Sequence, residues 1–285
     1  MRFLDPRNDV AFKKIFGSEE HKNITISFLN SILEYKGTHV IVDVQFLNTE
    51  QGSLIPGEKK ENFLDILCTD QAGNRYIVEM QVDRVKEFGK RMVYYATKTY
   101  AMQLGNGRSY RLLKPVIIIA ILDHSMFPQK ASYKSIHKIL DDKTYECDLP
   151  ELVFAFVELG KFTKQEGELV TDEDKWLYFI KWISNQTQIP VPLEEEEFVQ
   201  ACHAAERLTW SEYELAAYDK ALIRETDREG AMELAEERGV AKGEREALLK
   251  VALRMLTDNI AIETIASATS MSVEQLTELK KSYKK

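Results

Sequence analysis

"FLDILCTDQAGNRYIVEMQ", residues 63–81, is the stretch whose reading decides the fold. Phe63, Leu64, Ile66 and Leu67 surround Asp65, "DQAGN" carries turn chemistry, and "RYIVEMQV" resumes with β-branched and aromatic residues. The pattern predicts a β-hairpin. Side chains alternate across a strand, so Asp65 is expected to share a face with Phe63 and Leu67, and Glu79 to share one with Ile77 and Gln81. Cross-strand neighbours on one face lie about 5 Å apart, so a suitable register would put both carboxylates around one small cation. Two acids on a largely apolar sheet repel each other and resist desolvation, and something positive should offset that. The same alternation equally describes two acids pointing to solvent from a half-exposed edge hairpin. Spacing alone leaves both open.

Outward from the hairpin, residues 8–34 show apolar positions at helical spacing (Val10, Phe12, Ile15, Phe16, then Ile24, Phe28, Leu29, Ile32), broken near Gly17, and predict two helices. "HVIVDVQFLN" (39–48) is expected as a strand and "EQGSLIPGEKKE" (50–61) as a turn. "RVKEFGKRMVYYATKTYAMQLGNG" predicts a long helix stopped by glycines, and "KPVIIIAILD" (114–123) a fully buried strand, because it has no alternation. The order is α-β-β-β-α-β, and a buried strand reached through a helix implies a right-handed crossover onto the sheet. "SYKSIHKILD" and "LVFAFVELGKF" alternate like strands that extend it, and "EDKWLYFIKWIS" is a helix. From about Leu193 the pattern is helical almost to the end. Segment boundaries are expected at 1–160 for the sheet domain, 161–225 for a helical extension and 226–285 for a helical tail. The stretch around "TSMS" has the spacing of a helix-turn-helix, but an ordinary helical hairpin for packing or dimerisation fits as well, since nothing between Thr269 and Leu279 is basic.

With 285 residues and 44% hydrophobic composition, the chain can bury a real core. Its start, "MRFLDPRNDVAFKKIFG", is mixed rather than charged-then-apolar, and its longest apolar run, "PVIIIAIL", is too short to span a bilayer, so a cytoplasmic protein with no membrane partner is expected. Cys68, Cys147 and Cys202 form no CxxC pair and the five histidines no HxxxH pair, which argues against a disulfide framework and against zinc; buried, reduced thiols are expected. The net charge of −8 disfavours bulk attraction to nucleic acid. The distribution of that charge favours it locally: between Arg84 and Lys114 eight basic residues face one acid, Glu87.

Asp65 followed by Glu79-Met80-Gln81 on the next strand, in α-β-β-β-α-β order, resembles the PD-(D/E)XK nuclease fold. More closely, "LDPRNDVAFKKIFG", the pair "FLDILCTD…YIVEMQV" and the helix "RMVYYATKTYAMQL" look like the recombination-promoting nuclease/transposase family within it. The resemblance covers roughly residues 3–125 well; the glycine-punctuated tail adds little specificity. It implies a restriction-endonuclease-like α/β core, a mixed sheet flanked by helices, with a mostly helical C-terminal region. It further implies an Mg²⁺-dependent endodeoxyribonuclease, associated with recombination or mobile elements, whose partner is DNA. A catalytically degenerate DNA-binding or regulatory protein on the same fold is the alternative, and a structural module that forms a homodimer through its helical C-terminal region is a third.

Phosphodiester hydrolysis needs a divalent ion to neutralise phosphate charge and to acidify a water, and hard Mg²⁺ or Mn²⁺ prefers oxygen donors. The resemblance assigns those donors to Asp65, Glu79 and the main-chain carbonyl of Met80, whose side chain would point to the core. Where much of the superfamily has a lysine, this chain has Gln81, which can position a water by hydrogen bonds but adds no charge. Asp9 is a candidate for an acid that orders water around the metal, or else the cap of the first helix. Arg91, Tyr95 and Lys98 share one helical face, where the two cations could hold DNA phosphates while Tyr95 shapes the pocket; the other possibility is core tyrosines above a solvated basic face.

Overall fold

The computed structural model describes residues 1–51, 62–104 and 109–283. Helix α1 (Asp9–Phe16) begins where the Asn8 side chain accepts hydrogen bonds from the Val10 and Ala11 N–H groups, and it buries Ala11, Phe12, Ile15 and Phe16. Helix α2 (Lys22–Ile32) buries Ile24, Phe28, Leu29 and Ile32 against the same core. Strand β1 (Val44–Phe46) is much shorter than the run 39–48 predicts, and the hairpin surroundings carry two extra short strands, β2 (Glu50–Gln51) and β3 (Asn62–Phe63), paired with each other. Most of the turn expected at 50–61, and the glycines expected to stop the long helix, lie outside the described residues.

The hairpin is β4 (Ile66–Asp70) and β5 (Arg75–Gln81), antiparallel with Ile66 opposite Val78. Its turn is fixed by Asp70, whose carboxylate accepts the Ala72 and Asn74 N–H groups, and by Gly73 at φ +87°, a conformation that a side chain would strain. Helix α3 (Phe88–Ala101) then crosses over to β6 (Val116–Leu122), every residue of which is buried, and β6 lies parallel to β5. Strands β7 (Lys134–Ile139) and β8 (Leu149–Glu158) extend the sheet, giving the order β1-β4-β5-β6-β8-β7 with parallel pairing at β5-β6-β8 and antiparallel pairing elsewhere. The result is a six-stranded mixed sheet.

Alternation sorts the side chains into two layers. Ile66, Cys68, Tyr76, Val78 and Met80 join the core shared with α1 and α2, while Leu64, Leu67, Ile77, Ile118 and Ala120 pack under α3. Helices α4 (Asp172–Trp182) and α5 (Glu196–Ala205) belong to the first layer: the Trp176 ring lies 4.4 Å from Phe198 and 5.7 Å from Phe16, centroid to centroid. A buried aromatic of this kind hides about 150–250 Å², so α4 and α5 pack into the same core as the sheet and the N-terminal helices. The chain divides into two compact units, Met1–Ala221 and Leu222–Lys285. The second contains most of α6 (Glu212–Thr257) with α7 (Ile262–Thr269) and α8 (Val273–Tyr283). Its own small core joins Ala252 and Leu256 of α6 to Ile265 and Leu276, so the α7–α8 hairpin serves packing whatever else it does.

Candidate active site

Asp65 sits one residue before β4, and continuing the Ile66–Val78 register by one step sets it opposite Glu79. Each acid holds the other's strand. The Asp65 N–H donates to Glu79 Oε1 (3.1 Å), and the Met80 N–H donates to Asp65 Oδ2 (3.0 Å). These crossed bonds take one oxygen of each carboxylate and fix both side chains where β4 begins. Glu79 is only 5% exposed, which rules out the solvent-facing alternative for it. Burial first, then the charge of Asp65, pushes its carboxyl up to about 8; the Asp65 N–H, Arg91 and Lys13 pull the other way without cancelling the rise. The pair is short of positive charge.

Two cations flank it. Lys13 Nζ, from α1, pairs with Asp65 Oδ1 at 3.1 Å, the two side chains being 42% and 16% exposed. A pair this open contributes about 0–1 kcal/mol to stability, so folding alone gives little reason for it. Arg91 Nη2, from α3, donates to Gln81 Oε1 at 2.5 Å, and its guanidinium lies over the Phe88 ring at 4.8 Å. Arginine only donates, so the Gln81 oxygen faces Arg91 and its NH₂ is left to act as a donor. Tyr95 forms part of the wall, 9% exposed, with its hydroxyl held neutral by burial and by Glu79.

Asp65, Glu79, Met80, Gln81, Arg91 and Tyr95 therefore gather in one place, and the Met80 side chain points into the core as expected. None of these contacts involves Asp9. Asn8 caps α1, which takes the capping role from Asp9, and Asp9 is an exposed first helical residue that makes no hydrogen bond or ion pair among the described residues. Lys98 corrects a second expectation. It does share a helix face with Arg91 and Tyr95, but that face turns inward: Lys98 is 1% exposed and Nζ donates to the Gln51 carbonyl (3.0 Å), which keeps it from any phosphate. The outward tyrosine is Tyr94, and Cys147 is exposed where a buried thiol was expected. Lys13 escaped sequence reasoning; its only trace was its place in "NDVAFKKIFG", four residues before the glycine that ends the helix.

Among the described residues no three Asp, Glu, His or Cys side chains gather into a metal cage. Mg²⁺ does not need one, since it keeps several waters and takes one or two carboxylates together with phosphate oxygens. Asp65 and Glu79 fit that donor set, and the raised carboxyl of Glu79 is what a missing cation would relieve.

A family model described as PD-(D/E)XK nuclease family transposase matches residues 6–235. The chain belongs to that family. No curated protein and no solved structure matches it. Membership in the PD-(D/E)XK nuclease family transposases indicates a nuclease- or transposase-related function with DNA as substrate. The matched span holds Lys13, Asp65, Glu79, Gln81 and Arg91 and ends within α6, so α7 and α8 lie beyond it. No described helix is long and apolar enough to cross a membrane.

Proposed function

We propose that this chain is a divalent-metal-dependent DNA endonuclease, acting in recombination or on mobile elements, on a restriction-endonuclease-like version of the family fold. The observation that carries the proposal is the crossed pair of main-chain hydrogen bonds that fixes Asp65 and Glu79 side by side, with too little positive charge around them. Asp65, Glu79 and the Met80 carbonyl are the donors for Mg²⁺ or Mn²⁺. When bound there, the ion would neutralise phosphate charge and lower the pKa of a water.

The chain's own residues do the remaining work. Gln81, its oxygen held by Arg91, offers N–H donors to the attacking water or to a phosphate oxygen, and as an amide it can neither take up a proton nor bring charge. Arg91 orients Gln81 rather than reaching for DNA. Arg84, Lys86 and Lys90, all exposed and following Gln81 in the chain, replace Lys98 as candidates for phosphate contacts, which place a duplex without reading its sequence. The reaction belongs to a cytoplasmic protein in this account.

The test is cleavage of supercoiled plasmid. Wild-type protein should nick or linearise it with Mg²⁺ or Mn²⁺ and stop when chelator is added. Asp65→Ala should stay folded and cut at least about 100-fold more slowly, a loss of about 2.7 kcal/mol of transition-state stabilisation. Full activity in Asp65→Ala would end the assignment. Binding without cutting by the wild type would favour the degenerate DNA-binding alternative.

A further inference from the structure

Gln81 leaves the site without the ammonium that a lysine there would bring, yet an ammonium is present. Lys13 reaches it from α1 and binds Asp65 Oδ1, the oxygen that the main chain does not use, since Oδ2 accepts the Met80 N–H. A divalent ion shared with Glu79 would compete for that same oxygen, the one that carries no main-chain donor. Two cations on one oxygen repel strongly in a half-buried site, so one must leave, and Lys13 can: its side chain is 42% exposed on a flexible four-carbon stem, and α1 is anchored independently by Phe12, Ile15 and Phe16 on its other face. Arg91 has no such freedom, being bound to Gln81 and stacked over Phe88.

We propose that Lys13 is the site's movable cation: it neutralises Asp65 while no divalent ion is bound and, displaced by that ion, turns to the scissile phosphodiester and supplies the charge that Gln81 lacks. This rests on the nuclease reading above and adds a participant to it. The ammonium would leave Asp65 Oδ1 for a phosphate oxygen bound beside the carboxylates. No proton or bond is exchanged in that movement.

The test uses the full chain with Lys13→Met, Lys13→Arg, Gln81→Lys and the double variant Lys13→Met/Gln81→Lys, each checked for an unchanged thermal melt. Mn²⁺ binding is titrated without DNA, and single-turnover cleavage and DNA binding are measured with Mg²⁺. Lys13→Met should bind Mn²⁺ about 3- to 30-fold more tightly, because it removes a competing charge. It should cleave about 100-fold more slowly, the scale of losing one preorganised donor, while DNA affinity changes little. Lys13→Arg should keep most of the cleavage rate, and the double variant should recover what Lys13→Met lost. Unchanged or weaker Mn²⁺ binding by Lys13→Met would overturn the exchange at Asp65. Wild-type cleavage by Lys13→Met, or no recovery in the double variant, would overturn the role at the phosphate. Absence of cleavage by every protein, wild type included, would overturn the nuclease reading and that phosphate role together, whereas tighter Mn²⁺ binding by Lys13→Met would still support the exchange.

Discussion

Glu79 is held as a carboxyl that prefers its proton, by burial and by the neighbouring Asp65. In the metal-free protein this has a definite consequence for stability. The folded-state pKa, about 8, lies above the ordinary 4.5, so the folded chain keeps a proton that the unfolded chain gives up. The stabilising contribution is complete below about 4.5 and is lost as pH rises through about 8. Thermal melts in chelator should therefore show the wild type losing stability relative to Glu79→Gln across that window, since the amide still accepts the Asp65 N–H but carries no charge. Parallel curves would contradict this. Strand alternation put Asp65, Glu79 and Gln81 on the hairpin but left their facing open, and only the family resemblance marked them as a site. Lys13 was not legible in the sequence, since only tertiary packing brings α1 to β4. For Lys98 the helix face was legible and its direction was not: the sequence cannot say that Gln51 would supply a buried carbonyl for its ammonium.

At the scale of elements, the junction between the end of α1 and the start of β4 positions Lys13. Gly17 closes the helix with its N–H on the Lys13 carbonyl (2.8 Å), and a Cβ there would meet that oxygen at 2.8 Å and Ile66 Cγ1 at 3.3 Å. Gly17→Ala should push the helix end off β4, lower stability by about 1–3 kcal/mol as overpacking does, and loosen Lys13 from Asp65. Denaturant unfolding checks it, and a variant as stable as the wild type would show that the contact is not tight. The hairpin, the two N-terminal helices and the buried parallel strand β6 follow from periodicity alone. The run at 39–48 failed as a full strand for a local reason: Asn30 bonds both main-chain groups of Ile41, and Gln71 takes the Val42 N–H and the Val40 carbonyl. Side-chain amides there do what a neighbouring strand would do, and only Val44–Phe46 is left to pair.

Across the whole molecule, a net charge of −8 coexists with exposed cations at Arg84, Lys86 and Lys90, which follow the Glu79–Gln81 strand in the chain. Composition averages hid that arrangement, and only position along the chain revealed it. The larger unit, Met1–Ala221, contains every residue assigned to the site, and the smaller one keeps its own core. The proposed chemistry therefore depends on one feature of the larger unit: that Asp65 and Glu79 share a divalent ion. Crystals of the wild-type protein soaked in Mn²⁺ and measured at the manganese absorption edge test it most directly. The prediction is an anomalous peak between the two carboxylates, about 2.1 Å from an oxygen of each, with Lys13 Nζ withdrawn from Asp65. A peak elsewhere, or an intact Lys13–Asp65 pair with no peak beside it, would contradict the account.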